Sequence, residues 1–194
     1  MKYLIFFVLL FSQNNAMGQA ALPHRQGNSQ RALLNNNNMA QKPLYDTLRD
    51  PENGMLVMKG RISFKDLMRE PANDWMRKGA ENYKPNAAAI AVLKEKLPGY
   101  TFKIFMGTWC SDSRNLIPKL YTVLKAANYP LDEMDFFGMD RTKTARSQEE
   151  KTYKITLVPT IILFRGTKET GRITETVQKS VEEDLAAILL GTAR

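Results

Sequence analysis

Sulfur nucleophiles are scarce in this chain. Of 194 residues only one is cysteine, Cys110, so no intrachain disulfide can form. Imidazole is equally scarce: the single histidine, His24, lies far from Cys110 in sequence. Zinc and copper sites need several converging nitrogen or sulfur donors. The chain offers no such set, so no metal ligand is assigned and no cofactor is implied. Charge of one sign is not segregated either. The net charge is +8, but bases alternate with acids, as in Lys94-Glu95-Lys96 and Glu149-Glu150-Lys151. A nucleic-acid groove calls for clustered bases with interleaved aromatics. The pattern reads instead as a solvated, mildly basic surface, and no nucleic-acid partner is expected.

What remains is ordinary globular material, with 43% hydrophobic and 25% charged residues. A chain of this length can bury a core without disulfides. The one sustained apolar run is at the start. Met1 to Phe11 carries one early positive charge, Lys2, followed by about nine apolar residues, too few for a permanent span. Small residues follow at Ala16 and Gly18. Residues 1–18 therefore read as a secretory signal peptide, although cleavage after Ala20 fits nearly as well. Once it is removed, no stable membrane insertion is expected. Residues 19–42, with Asn35 to Asn38, are polar and aperiodic and read as a flexible tail. Residues 43–194 read as one domain that includes a strand and helix section at 55–98.

Within that domain, Asp50-Pro51-Glu52-Asn53-Gly54 is a turn and Met55 to Ile62 a strand. Ser63 and Asp66 have the spacing of a helix-capping pair. Trp75 and Tyr83 belong to a further helical piece and read as packing residues. Asn86 caps a helix that Pro98-Gly99 stops. Strands follow at Thr101–Met106, Met134–Met139, Ile161–Phe164 and Thr170–Val177. A helix over Ser111–Ala127 carries Leu116, Ile117, Leu120, Val123 and Leu124 at helical spacing, and Val181–Leu190 forms a closing helix. A helical turn is expected near Ser147–Tyr153. The alternation of strands and helices predicts a mostly parallel sheet with helices on both faces and an antiparallel hairpin at one edge.

Gly107-Thr108-Trp109-Cys110-Ser111-Asp112-Ser113-Arg114 joins the strand ending at Met106 to the helix beginning at Ser111. A thiol at a helix N-terminus faces unsatisfied N–H groups and the positive dipole end, and both favour thiolate. The Ser113 hydroxyl is expected to donate to the sulfur. Asp112 opposes the thiolate and Arg114 offsets Asp112, so the expected net effect is modest.

The stretch from about 101 to 190 resembles the thioredoxin fold. Trp109-Cys110-x-x-Ser113 matches the family's W-C-x-x-C with serine in place of the second cysteine. Pro118 stands where the family has a helix-kinking proline. Val158-Pro159-Thr160 matches the loop with a cis-proline that faces the active-site turn. The Gly-Thr-Trp-Cys-x-Asp-Ser form with its N-terminal section resembles a group of exported bacterial monothiol thioredoxin-like proteins. The resemblance implies an α/β thioredoxin-like fold, with a central mixed β-sheet flanked by helices and an N-terminal extension. It implies Cys110 and Ser113 as the catalytic pair, and Trp109, Val158, Pro159 and Thr160 as a substrate groove. Asp112 and Arg114 become modulators, the partners are protein or small-molecule thiols and disulfides, and the location is the periplasm.

Two departures from the family matter. Serine cannot resolve a mixed disulfide, because its alkoxide does not form at neutral pH, so release needs an outside thiol. Ile104 also occupies the place where thioredoxins proper bury an acid. Two readings follow: thiol–disulfide exchange through one sulfur, of isomerase or mixed-disulfide type, or a non-catalytic thioredoxin-fold binding or assembly module.

Overall fold

Capping residues set where the helices begin. A computed structural model describes residues 44–193. The expected signal segment 1–18 and tail 19–42, with His24, lie outside the described residues. Ser63 precedes helix α1 (Phe64–Arg69), and its Oγ accepts the Asp66 N–H while the Asp66 carboxylate accepts the Ser63 N–H. This reciprocal pairing satisfies two donors that a helix start otherwise leaves open. A short 3₁₀ turn, Pro71–Asn73, leads into α2 (Asp74–Asn82). The Asn86 carboxamide oxygen accepts from Ala88 and Ala89 to open α3 (Ala87–Lys96). Ser180 caps α6 (Val181–Leu189). Between them lie α4 (Ser111–Ala126) and the single-turn α5 (Glu149–Thr152).

The strands are β1 (Tyr45–Arg49), β2 (Leu56–Arg61), β3 (Tyr100–Met106), β4 (Asp135–Gly138), β5 (Thr160–Arg165) and β6 (Lys168–Thr174). They form one mixed sheet in the order β1-β2-β4-β3-β5-β6. This is the α/β thioredoxin-like fold, but two expectations change. The sheet is not mostly parallel: only β3 and β4 run parallel, and every other pairing is antiparallel. The reason lies in the connection from β4 to β5. Met106 pairs with Gly138, and Phe105 with Thr160, so β5 starts at the sheet end where β4 stops. The four-residue α5 rises about 6 Å and cannot carry the chain back across the sheet. The second change is β1, which had no strand signal. Its residues are half-buried or exposed, and it is held as an edge by antiparallel pairing with β2.

Helices also do not cover both faces equally. Phe102, Ile104 and Met106 pack with residues of α1, α2, α3, α4 and α6 in one large core. The alternate positions face a smaller cluster of Phe105, Phe137, Met139, Ala145, Ile155, Val158, Ile162 and Phe164. That second face is closed by the 139–158 segment with α5. Further along it, Lys103 and Arg61 both pair with Asp135. Charge at alternate strand positions leaves no apolar stripe there for another helix to bury. Against the larger core, α2 and α4 approach closely. A Cβ on Gly79 would lie 2.7 Å from the Pro118 ring, so the small residue lets the helix with the internal proline dock.

The candidate active-site turn

The only thiol sits where β3 ends and α4 begins. Cys110 is the N-cap residue of α4, half-buried, with its N–H bonded to the Gly107 carbonyl and its carbonyl accepting from Arg114. Its Sγ lies 3.2 Å from the Val158 carbonyl oxygen and donates to it. The turn of α4 and the 158–160 loop, far apart in sequence, therefore meet at the sulfur. The Val158–Pro159 peptide is cis. Pro159 is buried, its carbonyl accepts the Glu175 N–H at 2.7 Å, and the Thr160 hydroxyl donates to Leu157 O. These bonds tie the loop to the β6 end on one side and to its own backbone on the other.

Trp109 is fixed from several directions. Its indole Nε1 donates to Met139 O at 2.9 Å. Gly107 lies beneath the ring: a Cβ there would stand 2.6 Å from the indole, so only glycine admits this packing. The Arg141 guanidinium lies 5.0 Å from the ring centroid, a cation–π placement. Thr108 is buried, and its hydroxyl donates to Leu56 O, pinning the turn to β2.

The structure redistributes the roles assigned to the neighbours of Cys110. Ser113 is fully buried in the first turn of α4, but its Oγ accepts the Gly107 N–H at 3.2 Å and makes no bond to the sulfur. The thiol uses the Val158 carbonyl instead. Arg114 points its guanidinium at Trp75, 5.7 Å from that ring, and at the Met55 sulfur. Its contacts are with the N-terminal section rather than with Asp112 or the thiol. Asp112 is half-buried and lines the groove at the thiol. A groove of about 330 Å³ opens at the thiol, lined by Trp109, Cys110, Ser111, Asp112, Arg141, Lys143, Val158 and Glu175.

Residues that sequence reasoning passed over complete the site. Arg141 donates through Nε to Asp50 at 2.9 Å and through Nη1 to Glu52 at 2.8 Å. The Asp50 side chain has no exposed surface and also accepts the N–H groups of Glu52 and Asn53. Burial pushes the Asp50 carboxyl up, but the Arg141 hydrogen bond and those two N–H groups outweigh it and hold it below its ordinary value. The signal was present in Asp50-Pro51-Glu52-Asn53-Gly54, where an acid opens a turn. Nothing local in the sequence tied that turn to Arg141. Asp140 lies just past β4, at a turn. It accepts from Thr142 and Thr144, and also pairs with Lys59.

Among the described residues, no group of three or more His, Cys, Asp or Glu could hold a metal ion. No described helix is long and apolar enough to cross a membrane.

A half-exposed thiol at a helix N-terminus, in contact with a proline loop at one end of a mixed sheet, is the arrangement this thioredoxin-like fold builds. Residues 101–189, a little under half of the chain, match the thioredoxin family model. Similar solved structures include a protein of unknown function from Pseudomonas aeruginosa, 16% identical, with a TM-score of 0.39, covering 60% of this chain and 70% of its own. Thioredoxin O2 from Arabidopsis thaliana in its oxidized state is 17% identical, with a TM-score of 0.35, over 58% of this chain and 92% of its own. Mitochondrial thioredoxin 3 from Saccharomyces cerevisiae, also oxidized, is 20% identical, with a TM-score of 0.31, over 44% of this chain and 74% of its own. No curated protein matches the chain.

Proposed function

We propose that this is an exported, periplasmic protein that exchanges disulfides through Cys110 alone. One observation carries the reading. The only thiol of the chain is half-exposed at a helix N-terminus, over an open groove, in contact with the Val158 carbonyl. As thiolate, the sulfur attacks one sulfur of a partner disulfide. A Cys110–partner bond forms, the partner's S–S bond breaks, and the leaving sulfur departs with the electron pair. Ionisation also removes the proton donated to Val158 O, which frees that carbonyl for a bound chain. An outside thiolate then attacks the mixed disulfide and restores Cys110. No electrons are gained or lost overall, so the cycle shuffles or trims disulfides and does not reduce them without a second thiol. Ser113 takes part by holding Gly107, and hence the turn, rather than by resolving the adduct.

The test is capture. Cells producing the full chain are quenched with acid, alkylated, and their exported fraction is resolved without reductant. Cys110-dependent mixed disulfides with thiol-bearing proteins or small thiols, absent in Cys110→Ala, are expected. A chain that stays fully reduced and unmodified, with Cys110→Ala indistinguishable in every phenotype, overturns the reading in favour of a non-catalytic binding module. Amino-terminal sequencing of the same fraction should begin after Gly18 or Ala20. A start at Met1 contradicts export by cleavage.

A further inference from the structure

The turn between β1 and β2 reaches the site from outside the matched 101–189 stretch. Asp50 buries its carboxylate and fixes the Arg141 guanidinium by Nε, while Glu52 takes Nη1. The guanidinium is thereby placed over the Trp109 indole, and Arg141 and Trp109 together line the groove at Cys110. We propose that Arg141 is a positioning residue for the Cys110 site: anchored by Asp50 and Glu52, it holds Trp109 as one wall of the groove and limits which partners reach the sulfur. This rests on the exchange reading above, but it concerns access to the sulfur rather than exchange itself.

The charges explain why this is positioning and not recognition of an anion. Asp50 and Glu52 already neutralise Arg141, and Asp112 and Glu175 line the groove along with Lys143. A compensated guanidinium is poorly suited to draw in a charged substrate. A planar fork gripped at two nitrogens is well suited to hold an aromatic face, and lysine lacks that geometry. The Asp50–Gly54 turn, the Arg141 fork and the Trp109 ring then act as one latch, and breaking any joint has the same effect.

Cys110 is the only cysteine, so alkylation reports this site without background. The full chain is reacted with N-ethylmaleimide and with the bulkier N-pyrenylmaleimide, both uncharged. Both attack the same thiolate, so the ratio of their rates cancels the thiolate fraction and reads access alone. Arg141→Met is expected to raise the bulky-to-small ratio about two- to fivefold, the size expected for losing a cation–π contact. Asp50→Asn should do the same, and the double variant should add little, as for residues in one network. Arg141→Lys should fall between wild type and Arg141→Met. In a Trp75→Phe background, acrylamide quenching of the remaining Trp109 emission should rise in parallel. Circular dichroism and melting confirm that each variant is folded, and Arg141→Met carries the test if Asp50→Asn does not fold. An unchanged ratio in folded Arg141→Met, or effects of the two single variants that simply add, overturns the proposal. Absence of disulfide capture with a shifted ratio would instead defeat exchange and leave the latch standing.

Discussion

The Cys110 thiol donates to the Val158 carbonyl oxygen at 3.2 Å, and this contact joins the first turn of α4 to the proline loop. Ser113, one helical turn on, is turned away to Gly107. On the exchange reading proposed above, chemistry begins at Cys110, and the chain holds no second thiol to finish it.

Supplying that group should change the outcome. Ser113→Cys places a second thiol three residues from Cys110 in the first turn of α4, and rotation of that side chain away from Gly107 would bring it to the mixed disulfide. The variant is expected to release its own adducts and to accumulate an intrachain disulfide under oxidant, seen as two thiols lost together to maleimide. The wild type should do neither. Ser113→Ala, by contrast, removes the acceptor for a buried N–H and should cost about 1–3 kcal/mol in urea unfolding.

The junction of β2 with β4 depends on Gly138. A Cβ there would meet Met58 O at 2.0 Å, and a backbone atom cannot step aside as a side chain can. Gly138→Ala should lower stability by about 1–3 kcal/mol or more. Hydrogen exchange should show the loss first in β1 and β2, which hang on that pairing.

Acid should weaken the same region through Asp140. Burial raises its carboxyl pKa, but the Lys59 hydrogen bond and those from Thr142 and Thr144 outweigh it, so it lies well below its ordinary 3.8. A depressed folded value means stability that is present above the unfolded pKa and lost as pH falls through the folded one. Asp140→Asn should therefore be less stable at neutral pH and show a shallower further loss below about pH 4. Equal slopes for both proteins would contradict this.

Alkali should act through buried phenols. Burial raises Tyr129 to about 12, helped by the nearby Glu133 charge. Burial also raises Tyr83, together with its hydrogen bond to Glu182. Groups with raised folded values lose stabilising effect as pH climbs past the unfolded value near 10. Stability should decline from about pH 10 upward, with part of the tyrosinate absorbance appearing only on unfolding. Glu182→Ala leaves both the Tyr83 hydroxyl and the Asn86 N–H without their acceptor and should cost about 1–3 kcal/mol.

Much of this was legible from local signals. Ser63 with Asp66, Asn86 with its alanines, and the apolar spacing in α4 act within one turn, so sequence alone places those helices. The turn at Cys110 and the loop at Val158 were also legible, because their residues are distinctive. Strand direction was not. It depends on where the 139–159 segment leaves the chain in space, and a four-residue α5 leaves little trace in the sequence. Strand β1 was missed because an edge carries no buried alternation. The Asp50–Arg141 bond spans 91 residues, and the Asp50 end reads locally as a turn with nothing to tie it to Arg141. Ser113 was assigned to the sulfur by proximity in sequence, whereas the helix turns its hydroxyl toward Gly107.

The most direct test of the single-sulfur mechanism is intact-mass analysis of the full chain with hydroxyethyl disulfide at neutral pH. One mercaptoethanol adduct on Cys110 is expected to form, to persist after excess reagent is removed, and to disappear only when a free thiol is added. A thiol that stays unmodified through the time course, or an adduct that leaves without added thiol, would contradict it.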